Sequence, residues 1–180
     1  MSDHLIIFLK NPIFKQINES KKSTKWTEFI DLLEHTSSIT SKVDAHKHLY
    51  YDDYIENDSV FNDQSYSKKI HTSKNPKSQL TEAVKESFGQ WAKKVVFMGA
   101  DSMELTSKDI NLVFKQLNHH HVVILPELNG GILLFGLTLF RSDIFDHFPW
   151  ETENDLLDTI INLQRNKNTY CVLEAKSAYD

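Results

Sequence analysis

Val95-Val96-Phe97-Met98-Gly99-Ala100-Asp101-Ser102-Met103-Glu104-Leu105 is the stretch on which the fold turns. A short apolar run ends in Gly-Ala-Asp, and a helix-type pattern follows almost at once. A buried strand of an α/β sheet delivers a carboxylate to its C-terminal edge in this way, and open α/β sheets bind ligands at that edge. A carboxylate beside a small Gly-Ala step suits a divalent cation held against a phosphate-bearing ligand. Asp101 and Ser102 also suit a turn or the cap of the next helix, because both residue types are favoured there.

The same alternation recurs on either side. Leu5 to Leu9 is a continuous apolar run, as in a buried parallel strand, and Lys10-Asn11-Pro12 ends it. Trp26, Phe29, Ile30 and Leu33 recur at helical spacing and predict a helix from about Thr24 to His35. Strands are expected at Ala45 to Tyr51 and Tyr66 to Thr72, with a loop over Asp52 to Asp63 between them. Asn75 to Ser78 reads as a turn, and Leu80 to Lys94 as a helix whose inner face includes Trp91 and Ala92. Gly89 inside it costs roughly 1 kcal/mol relative to alanine, which calls for a packing reason or a kink.

Ser107 to about Asn118 predicts a helix, Val122 to Leu125 a buried strand, Asn129-Gly130-Gly131 a turn, and Ile132 to Leu137 a further strand. A short helix then runs to Pro149, a last helix carries Leu156 to Leu163, and Thr169 to Leu173 is a final strand. Strands alternating with helices of this length give an α/β fold, a mostly parallel central sheet flanked by helices. Its 180 residues fit a single domain over 1–180.

Composition excludes several classes. The formal net charge of -5 argues against a general nucleic-acid binder, which needs a basic face to neutralise phosphates. No apolar run approaches the roughly 20 residues that span a bilayer, and the N-terminus lacks a secretory pattern, so a cytoplasmic protein without membrane association is expected. The one cysteine, Cys171, lies in the apolar run Tyr170-Cys171-Val172-Leu173 and reads as a small packing residue. Gly-x-Gly-x-x-Gly and P-loop lysine motifs are absent.

Four ordered motifs carry a resemblance. They are Phe8-Leu9-Lys10-Asn11-Pro12, Gly99-Ala100-Asp101-Ser102-Met103-Glu104-Leu105, Pro126 to Leu137 with Asn129-Gly130-Gly131 inside it, and Phe145-Asp146-His147-Phe148-Pro149-Trp150 followed by Thr159. In this order and spacing the chain resembles the glycosyltransferase-A-like family of radical-SAM/selenodomain-associated transferases, in the nucleotide-diphospho-sugar transferase superfamily. The resemblance implies a metal-assisted glycosyl or nucleotidyl transferase that binds a nucleotide-sugar or nucleotide. It implies Asp101 as ligand of Mg²⁺ or Mn²⁺. It implies a ligand contact for Phe8, Lys10, Gly99, Ala100, Ser102, Asn129, Gly130 and Gly131, with the glycine turn letting the acceptor approach the backbone closely.

The departures fall on polar positions. The family's Gly-x-x-Lys-Thr-Arg-Leu after the first strand is replaced by Ile13 to Ser20, leaving Lys10, Lys15, Lys21 or Lys22 as point charges. A later Gly-Asp-Leu-Gly-x-Arg has become Ser78 to Ala83, and the acid of Asp-Gly-Gly has become Asn129. A catalytically inactive binding or regulatory protein on the same fold is therefore the alternative. Two histidine groups remain. His119-His120-His121 joins a helix to a strand, where ligands do not converge. His46 and His48 share a strand face beside Asp44, a possible zinc geometry with no further ligand evident and otherwise a polar strand face.

Overall fold

A computed structural model of the chain describes residues 1–11, 24–56 and 60–177. In chain order the elements are β1 (Ser2–Leu9), α1 (Thr24–Thr40), β2 (His46–Tyr51), β3 (Tyr66–Ile70), α2 (Pro76–Gly89), β4 (Ala92–Gly99) and α3 (Ser107–Gln116). β5 (Val122–Pro126), β6 (Ile132–Leu137), a 3-10 turn at Ser142–Phe145, α4 (Asp155–Arg165) and β7 (Tyr170–Val172) complete them. The strands form one sheet in the order β3-β2-β1-β4-β6-β5-β7.

Side-chain alternation splits the core into two layers. Leu5, Ile7, Val96 and Met98 face one way and pack with Leu33 of α1 and Ile110 and Val113 of α3. Ile6, Val95, Ile124 and Phe135 face the other way, against Leu80 and Val84 of α2 and Leu163 of α4. Leu5, Ile6, Ile7, Val95 and Val96 are all fully buried, which explains why their runs are apolar without alternation. Burying each such side chain contributes about 1.5–3 kcal/mol. Every strand pairing is parallel except those of β6, which runs antiparallel to β4 and to β5. The five residues from Glu127 to Gly131 are too few for a parallel crossover, so β6 must turn back.

Several expectations change. Helix α2 starts at Pro76, not Leu80, because Asn75 Oδ1 accepts a hydrogen bond from the Ser78 N–H and Pro76 takes the first turn. That stretch is a capped helix start rather than a turn. The helix also stops at Gly89, so this glycine is terminal rather than an interior kink, and a Cβ there would meet nothing within 4 Å. Trp91 is 76% exposed with φ 65°, outside any helical face, and Ala92 opens β4. Helix α1 continues past His35 to Thr40, where the Thr40 hydroxyl donates to the Thr36 carbonyl and pairs with Tyr66 Oη at 2.8 Å. The loop after β2 supplies a core residue, Phe61, fully buried edge-on to Tyr66. Lys15, Lys21 and Lys22 lie outside the described residues. No described helix is long and apolar enough to cross a membrane.

The histidines of β2 find a partner on β1. His48 Nε2 lies 2.8 Å from His4 Nδ1, and both rings are buried beneath α2, while His46 stays exposed. No group of three or more metal-binding side chains is present among the described residues, so His46 and His48 do not form the zinc site that their spacing allowed. The pair needs one ring to carry the shared proton and the other a lone pair, so full protonation would set two N–H groups against each other. Burial lowers His4 to a pKa of about 4, helped by His46 and Lys69, and lowers His48 to about 4, helped by Lys69 and His4. Burial likewise lowers His71 to about 4.

Between the ordinary histidine pKa and 4, the unfolded chain binds protons that the folded chain excludes, so stability falls as pH drops through that window. Thermal unfolding followed from pH 7.5 to pH 4, about the histidine range, should show a falling Tm. The fall should be shallower in the His4→Phe/His48→Phe double variant. Equal slopes in the two proteins would rule out the histidine pair as its source.

Candidate functional site

A cavity of about 470 Å³ opens at the C-terminal ends of β1 and β4. Parallel pairing brings those ends together: Phe8 aligns with Gly99, and the Ala100 N–H donates to the Phe8 carbonyl at 3.0 Å. The next residues along each strand, Lys10 and Asp101, therefore both line the cavity. Asp52, which follows β2, joins them. Asn11 fixes that neighbour: its Oδ1 accepts from the N–H groups of Asp53 and Tyr54, and its Nδ2 donates to the Tyr54 carbonyl.

Asp101 opens onto the cavity, so its surface is exposed, yet the surrounding walls still strip water from the carboxyl. This desolvation pushes its pKa above the usual carboxylate range, while its own backbone N–H and the Lys10 charge pull the other way. Asp52 behaves alike: burial raises it and Lys10 lowers it. Lys10 is thus shared between two carboxylates. A second acid stands near Asp101. Glu127, directly after β5, is raised first by burial and then by the Asp101 charge, with a hydrogen bond from Asn129 opposing.

The Asn129-Gly130-Gly131 turn sits on this same side. Asn129 Oδ1 accepts from the Gly131 N–H at 3.0 Å, and a Cβ at Gly131 would stand 2.9 Å from Glu127 Oε2. The space beside Gly130 is filled by the chain itself. Its φ is +94°, and a Cβ there would collide with the Glu153 carbonyl. The Leu156 N–H also donates to the Gly130 carbonyl at 3.1 Å. The turn clamps the start of α4 and the segment before it, and Phe148, Trp150 and Glu151 of that segment form the far wall of the cavity.

Of the residues that the sequence singled out, Phe8, Lys10, Gly99, Ala100 and Asp101 line the cavity, and Asn129, Gly130 and Gly131 support its edge. Ser102 is 2% exposed and turns inward, its hydroxyl accepting from the Glu104 N–H, which matches the turn that was the alternative for this residue. Sequence reasoning passed over Glu127, Asp52, Gln79 and Phe97. The first two carry the signal used for Asp101, an acid just past a buried strand.

The donor set can be tested against a cation. Asp101, Glu127 and Asn129 Oδ1 are all oxygens, and no group of three or more His, Cys, Asp or Glu converges among the described residues. A small hard divalent ion suits such a set, because it commonly takes one or two carboxylates and completes its shell with water and substrate phosphates. The residues present fit Mg²⁺ or Mn²⁺ on that basis.

A protein-family model matches residues 36–152, the segment holding Asp52, Asp101, Glu127 and the glycine turn. The chain belongs to the family described as uncharacterized proteins conserved in bacteria, DUF2064. Solved structures share the fold of this DUF2064 member. A protein of Desulfovibrio desulfuricans G20 assigned as a nucleotide-diphospho-sugar transferase superposes with a TM-score of 0.76 at 17% identity, over 98% of this chain and 81% of that one. CMP:2-keto-3-deoxy-manno-octonic acid synthetase complexed with CTP gives 0.55 at 8% identity, over 98% and 91%. Rv0371c of Mycobacterium tuberculosis H37Rv, in complex with manganese, gives 0.59 at 9% identity, over 99% and 91%. At these identities the likeness is one of fold. No curated protein matches the sequence.

Gly130→Ala should lose about 1–3 kcal/mol of stability, since alanine must adopt an unfavourable φ where backbone already fills the space. Urea unfolding at equilibrium measures it. A midpoint equal to that of the parent protein would mean that Glu153 does not approach Gly130 so closely.

Proposed function

We propose that the DUF2064 chain is a nucleotidyl or glycosyl transferase that uses a nucleotide or nucleotide-sugar in this cavity, with Mg²⁺ or Mn²⁺ held by Asp101 and Glu127. The observation that carries the reading is the pairing of these two acids. Each is pushed toward its neutral form, Glu127 partly by the charge of Asp101. A cation between them would relieve both the desolvation and the repulsion. When bound, it supplies a Lewis acid for a leaving diphosphate.

In this reading Lys10 attracts phosphate oxygens as a point charge, Asn129 holds the Glu127 carboxylate in place, and Asn11 keeps Asp52 beside Lys10. The glycine turn acts by fixing the Phe148–Glu151 wall rather than by admitting the acceptor to its own backbone. The ordered motifs favour kinship with the radical-SAM/selenodomain-associated transferases, acting in the cytoplasm over one domain of residues 1–180. Lys10 is the one cation that lines the cavity among the described residues, and this favours the second reading, a binding or regulatory protein on a retained fold.

Thermal melts with Mg²⁺ or Mn²⁺ and a panel of nucleoside di- and triphosphates separate the two. A ligand present at 100 times its Kd stabilises by about 2.7 kcal/mol, a rise of roughly 5–10 °C for a chain of this size. Asp101→Asn and Glu127→Gln should each abolish the metal-dependent part of that rise. A rise that survives both substitutions would place the ligand elsewhere and sink the assignment. No rise with any nucleotide would leave the binding or regulatory reading.

A further inference from the structure

We propose that the aromatic end of the cavity takes the positively charged head of an organic cation, a protonated or quaternary amine, as the second ligand beside the nucleotide. That role beside a nucleotide rests on the transferase reading; the binding itself does not.

Rings supply the first argument. Phe8, Phe97, Phe148 and Trp150 all line the cavity and all are half-buried, so each leaves ring surface on it. Successive rings stand nearly perpendicular. Phe8 and Phe97 are 4.7 Å apart at 77°, Phe97 and Phe148 6.4 Å at 85°, and Phe148 and Trp150 4.9 Å at 88°. These edge-to-face contacts hold the four rings together as one aromatic wall of the cavity. The electron-rich ring faces attract a cation, and Trp most strongly.

Charge supplies the second argument. Asp52, Asp101 and Glu151 line the cavity against Lys10. Lys10 already stabilises the charged forms of both Asp52 and Asp101. Among the described residues the lining would stay anionic even with a divalent cation held by Asp101 and Glu127 against phosphate. Glu151 lines the cavity and follows Trp150 in the chain, so the wall that carries Phe148 and Trp150 also brings a carboxylate. A neutral sugar stacked on these rings would leave that charge unanswered. An ammonium head answers it.

Choline and tetramethylammonium, titrated calorimetrically into the full chain in excess chelator and without nucleotide, test this. Both should bind, and the neutral isostere of choline, with carbon in place of the ammonium nitrogen, should bind at least about ten-fold more weakly. Glu151→Gln, an exposed position that should fold normally, should weaken choline several-fold. Trp150→Phe, which keeps a ring but a poorer one, should weaken it less than Trp150→Leu does. Equal binding of the neutral isostere, an unchanged Glu151→Gln affinity, or no saturation by either cation up to about 50 mM would overturn the proposal. Because neither metal nor nucleotide is present, such a failure leaves the nucleotide reading standing. Failure of the nucleotide melts would likewise leave cation binding measurable.

Discussion

The hydrogen bond from the Ala100 N–H to the Phe8 carbonyl, at 3.0 Å, is the last rung of the β1–β4 pairing, and the site depends on it. The two strands lie side by side in the middle of the sheet with both faces covered. Their register is held by apolar residues on each face. A slip of one residue would exchange the two faces of a strand, moving Phe8 or Phe97 into the opposite core. That penalty locks Lys10 and Asp101 at neighbouring exits from the sheet. Their electrostatic contact is thus a consequence of core packing more than its cause.

The same constraint acts at the buried ends of β1, β2, β4 and β5. A buried strand stays apolar until it leaves the sheet, and the first polar side chains beyond it emerge at one edge. Lys10 follows β1, Asp52 follows β2, Asp101 comes two residues after β4, and Glu127 follows β5. Because β6 runs the other way, its beginning rather than its end lies at this edge, and Ile132 reaches the cavity there. Among the described residues the edge collects more acids than bases. Carboxylates crowded together away from water raise one another's pKa, and a cation is the direct chemical remedy.

The glycine turn illustrates how a motif can serve a site from outside it. Gly130 gives up its side-chain space to the Glu153 carbonyl, and its own carbonyl takes the Leu156 N–H. The preceding Phe148–Glu151 segment is held against the sheet as a result, with Trp150 packed on Phe135 at 4.7 Å and still bordering the cavity. A motif match alone would place such glycines against a ligand, because both arrangements require a bare backbone.

The sequence by itself determined the layers and most of the elements. Runs such as Leu5–Leu9 and Val95–Met98 have to be buried on both faces, and helical spacing in α3 and α4 has to cover them; these are local consequences of apolar surface. It also determined Asp101 as an edge acid, and Lys10 with it. Only the tertiary structure decided which acids meet. Glu127 lies 26 positions beyond Asp101 and carries no local mark other than following a strand, yet the return of β6 brings the two within electrostatic reach. His4 and His48 are likewise ordinary polar residues in sequence, and strand pairing turns them into a hydrogen-bonded couple beneath a helix. Periodicity reports which face a residue takes; it carries no information on which distant strand lies alongside, because that choice is made by the packing of whole layers.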